Sequence, residues 1–127
     1  MKYAFNAKSG LVMLSARIWG PRASSPVQMA LDTGATGTVV SASIMEVLGY
    51  DLKNCLVHAK MTSASGVSIA PRVIAQRVEV LGCDKRSIPI VCHNFPNSSS
   101  IEGVLGLDFF RGMELSLDFR SGFLHLK

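Results

Sequence analysis

No stretch of this sequence approaches the roughly eighteen consecutive apolar residues that a membrane-spanning helix needs. Met1 to Lys8 carries polar Asn6 and Lys8 and no sustained apolar run, so no signal peptide is visible there. Cysteine is scarce. Cys55, Cys83 and Cys92 are an odd number, none in Cys-x-x-Cys spacing, and cannot form a complete set of intrachain disulfides. Free thiols in a reducing cytosol are the simplest account, and a soluble, cytoplasmic protein is expected. Repeats, low-complexity tracts, linkers and blocks of like charge are also missing. The thirteen basic and nine acidic side chains leave a charge of +4 spread along the chain, whereas a nucleic-acid surface needs its Lys and Arg clustered. Neither nucleic acid nor a membrane is an expected partner.

What is present is apolar patterning. At 127 residues and 48% hydrophobic content, the chain is long enough for one domain, residues 1–127, with a real core. Val12, Leu14, Ala16 and Ile18 alternate with Ser15 and Arg17, and a loop around Gly20-Pro21 leads to a second strand ending Val27-Gln28-Met29-Ala30-Leu31. After Val39-Val40, Ser43 and Glu46 fit a capping box for a short helix, which Gly49 would stop. Lys60 to Ala70 reads as a hairpin with the tip Ser63-Ala64-Ser65-Gly66, ended by Pro71. Val73 to Leu81 and Ile88 to Cys92 read as a further pair of strands, and His93 to Ser100 as a loop. Val104-Leu105-Gly106 is a short apolar strand. A short helix follows, with Asp108 as its cap and Gly112 as its stop, and then a final hairpin, Met113 to Phe119 and Phe123 to Leu126. The expectation is an all-β domain with two short helices.

The chain is organised around Ala30-Leu31-Asp32-Thr33-Gly34-Ala35-Thr36-Gly37-Thr38-Val39-Val40. An apolar strand delivers one carboxylate, Asp32, into a small glycine-rich turn just where the chain leaves the core. Gly34 can take backbone angles closed to other residues and lets another chain approach. A lone Asp in a turn is ordinarily a turn former; between Leu31 and Thr33-Gly34-Ala35 it reads as a carboxylate held for chemistry.

Asp32-Thr33-Gly34-Ala35 resembles the active-site turn of the retropepsin-like aspartic proteases, the retroviral-type family. The resemblance extends over nearly the whole chain, in order: the leading hairpin, the Leu-Asp-Thr-Gly-Ala turn, Thr-Val-Val-Ser, a short helix, a flap-like hairpin, Val104-Leu105-Gly106, a second short helix and a closing hairpin. Asp-Thr-Gly alone is a weak signal; its pairing with an apolar-apolar-Gly element about seventy residues later is a strong one. The run from Val104 through Phe119 is most similar to the DNA-damage-inducible and bacterial branches. The resemblance implies a closed-barrel acid-protease fold with a β-hairpin flap, no cofactor and no metal. It also implies an endopeptidase acting on an extended peptide or an unfolded protein segment.

Two carboxylates are needed for that chemistry, and Asp51, Asp84, Asp108 and Asp118 lack a following Thr/Ser-Gly. One half-site per chain implies a homodimer in which Asp32 meets its own copy. By the resemblance, Asp32 is the catalytic carboxylate and Thr33 locks the paired loops. Gly34 gives its carbonyl to substrate, and Ala35 and Thr36 border the pocket. Ala64, Ser65 and Gly66 form the flap tip, Val104 lines the wall, and Gly106 lets two segments cross tightly. Met1 to Phe5 and Phe123 to Lys127 are the segments expected to build the dimer sheet. Thr36 and Gly37 stand where retroviral members often carry acidic residues.

Other readings fit less well. Asp32-Thr33-Gly34-Ala35-Thr36 matches the Asp-x-Gly-x-Thr phosphate hairpin of the actin and hexokinase superfamily, but that superfamily needs a much longer two-lobed chain and a second phosphate loop. Cys92-His93 suggests a metal or thiol site, yet neighbours on a strand face opposite sides, and no third ligand stands at useful spacing. A retropepsin-like module that dimerises and binds peptide without cutting it remains the alternative function.

Overall fold

The structure, a computed structural model, describes residues 1–127 apart from Ser63, which the sequence assigns to the tip of the second hairpin and which lies outside the described residues. Ten strands and two short helices follow one another: β1 Lys2–Ala4, β2 Met13–Trp19, β3 Ser24–Leu31, β4 Val39–Val40, α1 Ala42–Val47, β5 His58–Ser63, β6 Gly66–Val80, β7 Cys83–Cys92, β8 Gly103–Leu105, α2 Leu107–Phe110, β9 Leu115–Asp118 and β10 Phe123–Leu126. No helix among the described residues is long and apolar enough to cross a membrane.

Strand order β2-β3-β8-β4-β7-β6 is closed by pairing of β6 with β2, so six strands form a barrel. The closed all-β barrel expected from the sequence is therefore present. Alternation explains the wall of β2: Leu14, Ala16 and Ile18 are buried while Ser15 and Arg17 face out. Val27 and Met29 of β3, Val40, Leu105 and Ile90 complete the interior, and Met45 and Leu48 of the α1 region and Phe109 of α2 plug it, all at 0% exposure.

Two pairings inside the barrel are parallel, β3 with β8 and β4 with β7, while β4 runs antiparallel to β8. As a result, the turn after β3 and the glycine after β8 leave the sheet side by side. That crossing positions the Asp32 turn.

Local expectations fail where a tertiary partner competes. The capping box is absent: Ser41 is the N-cap of α1, and no side-chain cap bond forms there. Asn94 Oδ1 instead accepts from the Ser43 N–H and from the hydroxyls of Ser41 and Ser43 at 3.1 Å each. Asp108 does not cap α2, since Gly106 takes that position and Asp108 lies within the helix. Pro71 does not end a strand. β6 runs on through it for 15 residues, because Pro71 sits where the strand hands over from β5 to β7. The β6–β7 turn is Leu81-Gly82, both at positive φ (52° and 77°), the backbone of a tight hairpin turn matched to strand twist.

The terminal segments pair within this chain: β1 and β9 flank β10 in a separate three-stranded sheet. Tyr3 fastens this sheet to the barrel, its hydroxyl donating to the Leu81 carbonyl. Phe5 packs edge-on against Phe119 at 5.5 Å, and Phe119 stays 60% exposed.

Candidate active site

Asp32 follows the last residue of β3. Its N–H donates to the Leu105 carbonyl (3.0 Å), which continues the parallel β3–β8 ladder one step beyond the sheet and fixes the backbone. The turn closes with the Ala35 N–H donating to the Asp32 carbonyl (3.2 Å) and the Gly34 N–H donating to Asp32 Oδ1 (2.8 Å). Oδ2 accepts no hydrogen bond among the described residues, and the side chain is exposed. The turn thus presents a carboxylate with one oxygen oriented by the backbone and the other open.

Gly34 owes its place to space rather than to backbone freedom, because its φ is not in the left-handed region. A Cβ there would meet Asp32 Oδ1 at 3.1 Å and crowd the oxygen that the glycine N–H holds.

Beneath the turn lies a clamp that sequence patterning did not reveal. Thr38, 1% exposed, donates through Oγ1 to Asp108 Oδ1 (2.7 Å), and its N–H donates to Asp108 Oδ2 (3.1 Å). The same Oγ1 accepts from the Gly106 N–H (3.2 Å). Backbone bonds from Leu107 to Ala35 (2.8 Å) and from Asp108 to Thr36 (3.3 Å) join α2 to the turn residue by residue. Gly106 permits this approach. A Cβ on it would lie 2.6 Å from the Gly37 oxygen and 2.9 Å from the Ala35 oxygen, both rigid backbone.

A cleft of about 640 Å³ opens beside the turn. One wall is the turn from Gly34 to Thr38, the other the β5 segment from His58 to Thr62. Its floor includes Val39, Pro89 and Val91. Register explains the floor: Val91 lies opposite both Val39 and Arg72, and paired residues share a face. Ile88, Ile90 and Cys92 alternate onto the core side.

Of the residues expected at the site, Gly34, Ala35 and Thr36 line this cleft. Ala64, Ser65 and Gly66 form the turn and first residue beyond β5, at the far end of the β5–β6 hairpin, and are not among the lining residues. Val104 is half-buried in β8 between Ala30 of β3 and Val39 of β4, also outside the lining. The side chain of Thr33 is exposed and bonds to nothing within the chain among the described residues. Sequence reading missed Thr38, Asp108, His58, Lys60 and Arg72. The alternation of Pro89 and Val91 against Ile88 and Ile90 was the one available signal for the floor.

Elsewhere, burial pushes the Cys92 thiol up to about 12, and His93 faces solvent on the other side of the chain. Among the described residues no group of three or more His, Cys, Asp or Glu is placed to hold a metal ion.

The family model for gag-polyprotein putative aspartyl proteases matches residues 23–112. A crystal structure of a retropepsin-like aspartic protease from Rickettsia conorii shares the fold. Its TM-score is 0.74 at 19% sequence identity, covering 99% of this chain and 88% of that one. No curated protein matches the chain. The family match contains the Asp32 turn, the hairpin and the Gly106 crossing, and takes in far more than half of the sequence. The chain belongs to the retropepsin-like aspartyl protease family.

Proposed function

We propose that the protein is a homodimeric aspartic endopeptidase in which the two Asp32 carboxylates, one from each protomer, activate a water molecule between them. The observation that carries this reading is the half-finished state of Asp32: a backbone-oriented carboxylate with one oxygen open, two residues before the Gly34 to Thr38 segment that lines a peptide-sized cleft. Hydrolysis of an amide by carboxylates needs one group to take a proton from water and another to protonate the carbonyl oxygen. Two carboxylates a few ångströms apart resist double ionisation and share one proton, as aspartic proteases in general illustrate. The ionised Asp32 removes a proton from water as the oxygen attacks the carbonyl carbon. The protonated Asp32 gives its proton to the carbonyl oxygen. Collapse of the tetrahedral species breaks the C–N bond, and the amine leaves with a proton returned from the dyad.

In this reading the exposed Thr33 hydroxyl reaches the partner loop, and the β5–β6 hairpin is a flap whose tip, Ala64 to Gly66, covers the substrate and excludes water. Gly34, Ala35 and Thr36 contact the substrate backbone on one side and Val104 the wall on the other. The substrate lies extended, with alternate side chains entering pockets. Because β1 and β10 already pair within one chain, the dimer sheet would form by joining outer edges of the three-stranded sheet rather than by exchanging termini.

The test is cleavage of a peptide library from acidic to neutral pH by the parent and by Asp32→Asn. Turnover in the parent and none in the variant is expected. Equal turnover in both removes Asp32 from the mechanism, and no turnover in either under dimeric conditions favours the non-catalytic peptide-binding module.

A further inference from the structure

The cleft beside the Asp32 turn carries more positive than negative charge, and residues outside the turn supply it. Lys60 of β5 and Arg72 of β6 both line it, with His58 near the open end of the same hairpin. Among the described residues neither Lys60 nor Arg72 has a carboxylate within ion-pair distance. The ion pairs found are Arg77 with Glu79 and Asp84, and Lys127 with Glu114. Asp108 is the single acid on the lining, and both its oxygens are already engaged by Thr38.

The position of Arg72 is fixed. Its N–H donates to the Val57 carbonyl (2.9 Å), its carbonyl accepts from Cys55 Sγ (3.3 Å), and it stands opposite Val91 on the cleft floor. Its stem therefore rises from an apolar floor while the guanidinium stays in water. Lys60 lines the cleft from β5 of the same hairpin, on the side facing the Gly34 to Thr38 turn. An extended peptide lying along Gly34 to Thr36 runs past this hairpin. A carboxylate on it that enters the cleft comes under the attraction of two cations without ion-pair partners, beside apolar surface where that attraction exceeds its value in bulk water. A lysine or arginine meets repulsion, so the same pair also rejects.

We infer that this cleft is a subsite for acidic side chains, Asp or Glu, of an extended peptide, with Lys60 and Arg72 as the residues that determine the preference. The inference deepens the endopeptidase reading and rests on it for the path of the peptide. It depends on neither the protonation of Asp32 nor the rate of cleavage, so binding tests it separately.

The experiment uses the full chain carrying Asp32→Asn and fluorescent eight-residue peptides in which one Glu is moved through an otherwise neutral sequence, each compared with its Gln counterpart by anisotropy at low salt. At one or two positions the Glu peptide should bind about fivefold tighter, the size of a modest charge pair. The difference should shrink as salt rises. It should vanish in Lys60→Gln/Arg72→Gln and turn into a preference for Lys in Lys60→Glu/Arg72→Glu. Lys53→Gln, exposed and away from the cleft, should leave it intact. Equal binding of Glu and Gln peptides at every position, or a Glu preference that survives Lys60→Gln/Arg72→Gln, overturns the inference. Cleavage by the parent is read separately. Turnover by the parent together with equal binding of Glu and Gln peptides at every position defeats the subsite and leaves the endopeptidase standing. Glu-selective binding with no turnover does the reverse.

Discussion

Replacing Thr38 by Val tests whether the hydroxyl beneath the Asp32 turn is a structural clamp. The substitution exchanges a hydroxyl for a methyl of similar shape, so no cavity opens and the cost is that of the hydrogen bonds alone. Two are lost: the donation from Oγ1 to the charged Asp108 Oδ1 at 2.7 Å, and the acceptance from the buried Gly106 N–H at 3.2 Å. A bond to an ionised partner contributes roughly 1.5–3 kcal/mol, and a buried N–H left without an acceptor costs roughly 1–3 kcal/mol. Water entering from the cleft can solvate Asp108 in part, which favours the lower part of the summed range. A loss of about 3 kcal/mol results. For a chain of this size it lowers the melting temperature by about 10 °C. Urea unfolding followed by circular dichroism measures it as a shift in midpoint at unchanged slope. Thr38→Ser keeps the hydroxyl and should lose far less. A Thr38→Val loss below about 0.5 kcal/mol, or equal losses for Val and Ser, refutes the clamp, because the methyl rather than the oxygen would then be what matters.

Two further outcomes follow from the same geometry. Gly106→Ala forces a Cβ to within 2.6 Å of the Gly37 oxygen, so the crossing must open. Stability should fall by about 2 kcal/mol or more, and amide exchange should speed up at Leu107 and Asp108, whose N–H groups bond to Ala35 and Thr36; unchanged protection there contradicts it. Cys92 gives a pH dependence. With the folded thiol pushed from 9.0 to about 12 by burial, the unfolded chain releases its proton first as pH rises. The stability contribution is complete below about pH 9 and falls away through the window up to about pH 12. The parent should therefore lose more stability than Cys92→Ala between pH 8 and about pH 10 in chemical denaturation, and parallel curves would refute this.

The parts of the fold legible in the sequence were those set by alternation along a half-buried strand. Leu14, Ala16 and Ile18 declared the inner face of β2, and Val27 and Met29 that of β3, because period-two burial leaves a period-two pattern. The Asp32 turn was noticeable for another reason: a carboxylate and small residues at fixed spacing form a compact motif, and the family match spans it. What stayed hidden was set by tertiary contact. Ser43 and Glu46 spell a capping box, yet Asn94, far along the chain, takes the bonds. Asp108 has the composition of a helix cap, but Thr38 offers it both a hydroxyl and an N–H across the barrel. Pro71 looked like a terminus because a proline N cannot donate; at a point where the strand changes neighbours, no donor is required. The charge of the cleft was equally invisible, since Lys60 and Arg72, twelve residues apart in sequence, line one cleft only once β5 has paired with β6 and both face the Gly34 to Thr38 turn.

The central claim is that catalysis needs one Asp32 from each of two chains. It is tested most directly by co-refolding parent and Asp32→Asn in equal amounts at constant total protein and measuring peptide turnover. Random pairing leaves two carboxylates in only one dimer of four, so the account predicts about one quarter of the all-parent rate. A rate of about one half, as expected when each chain works alone, would contradict it.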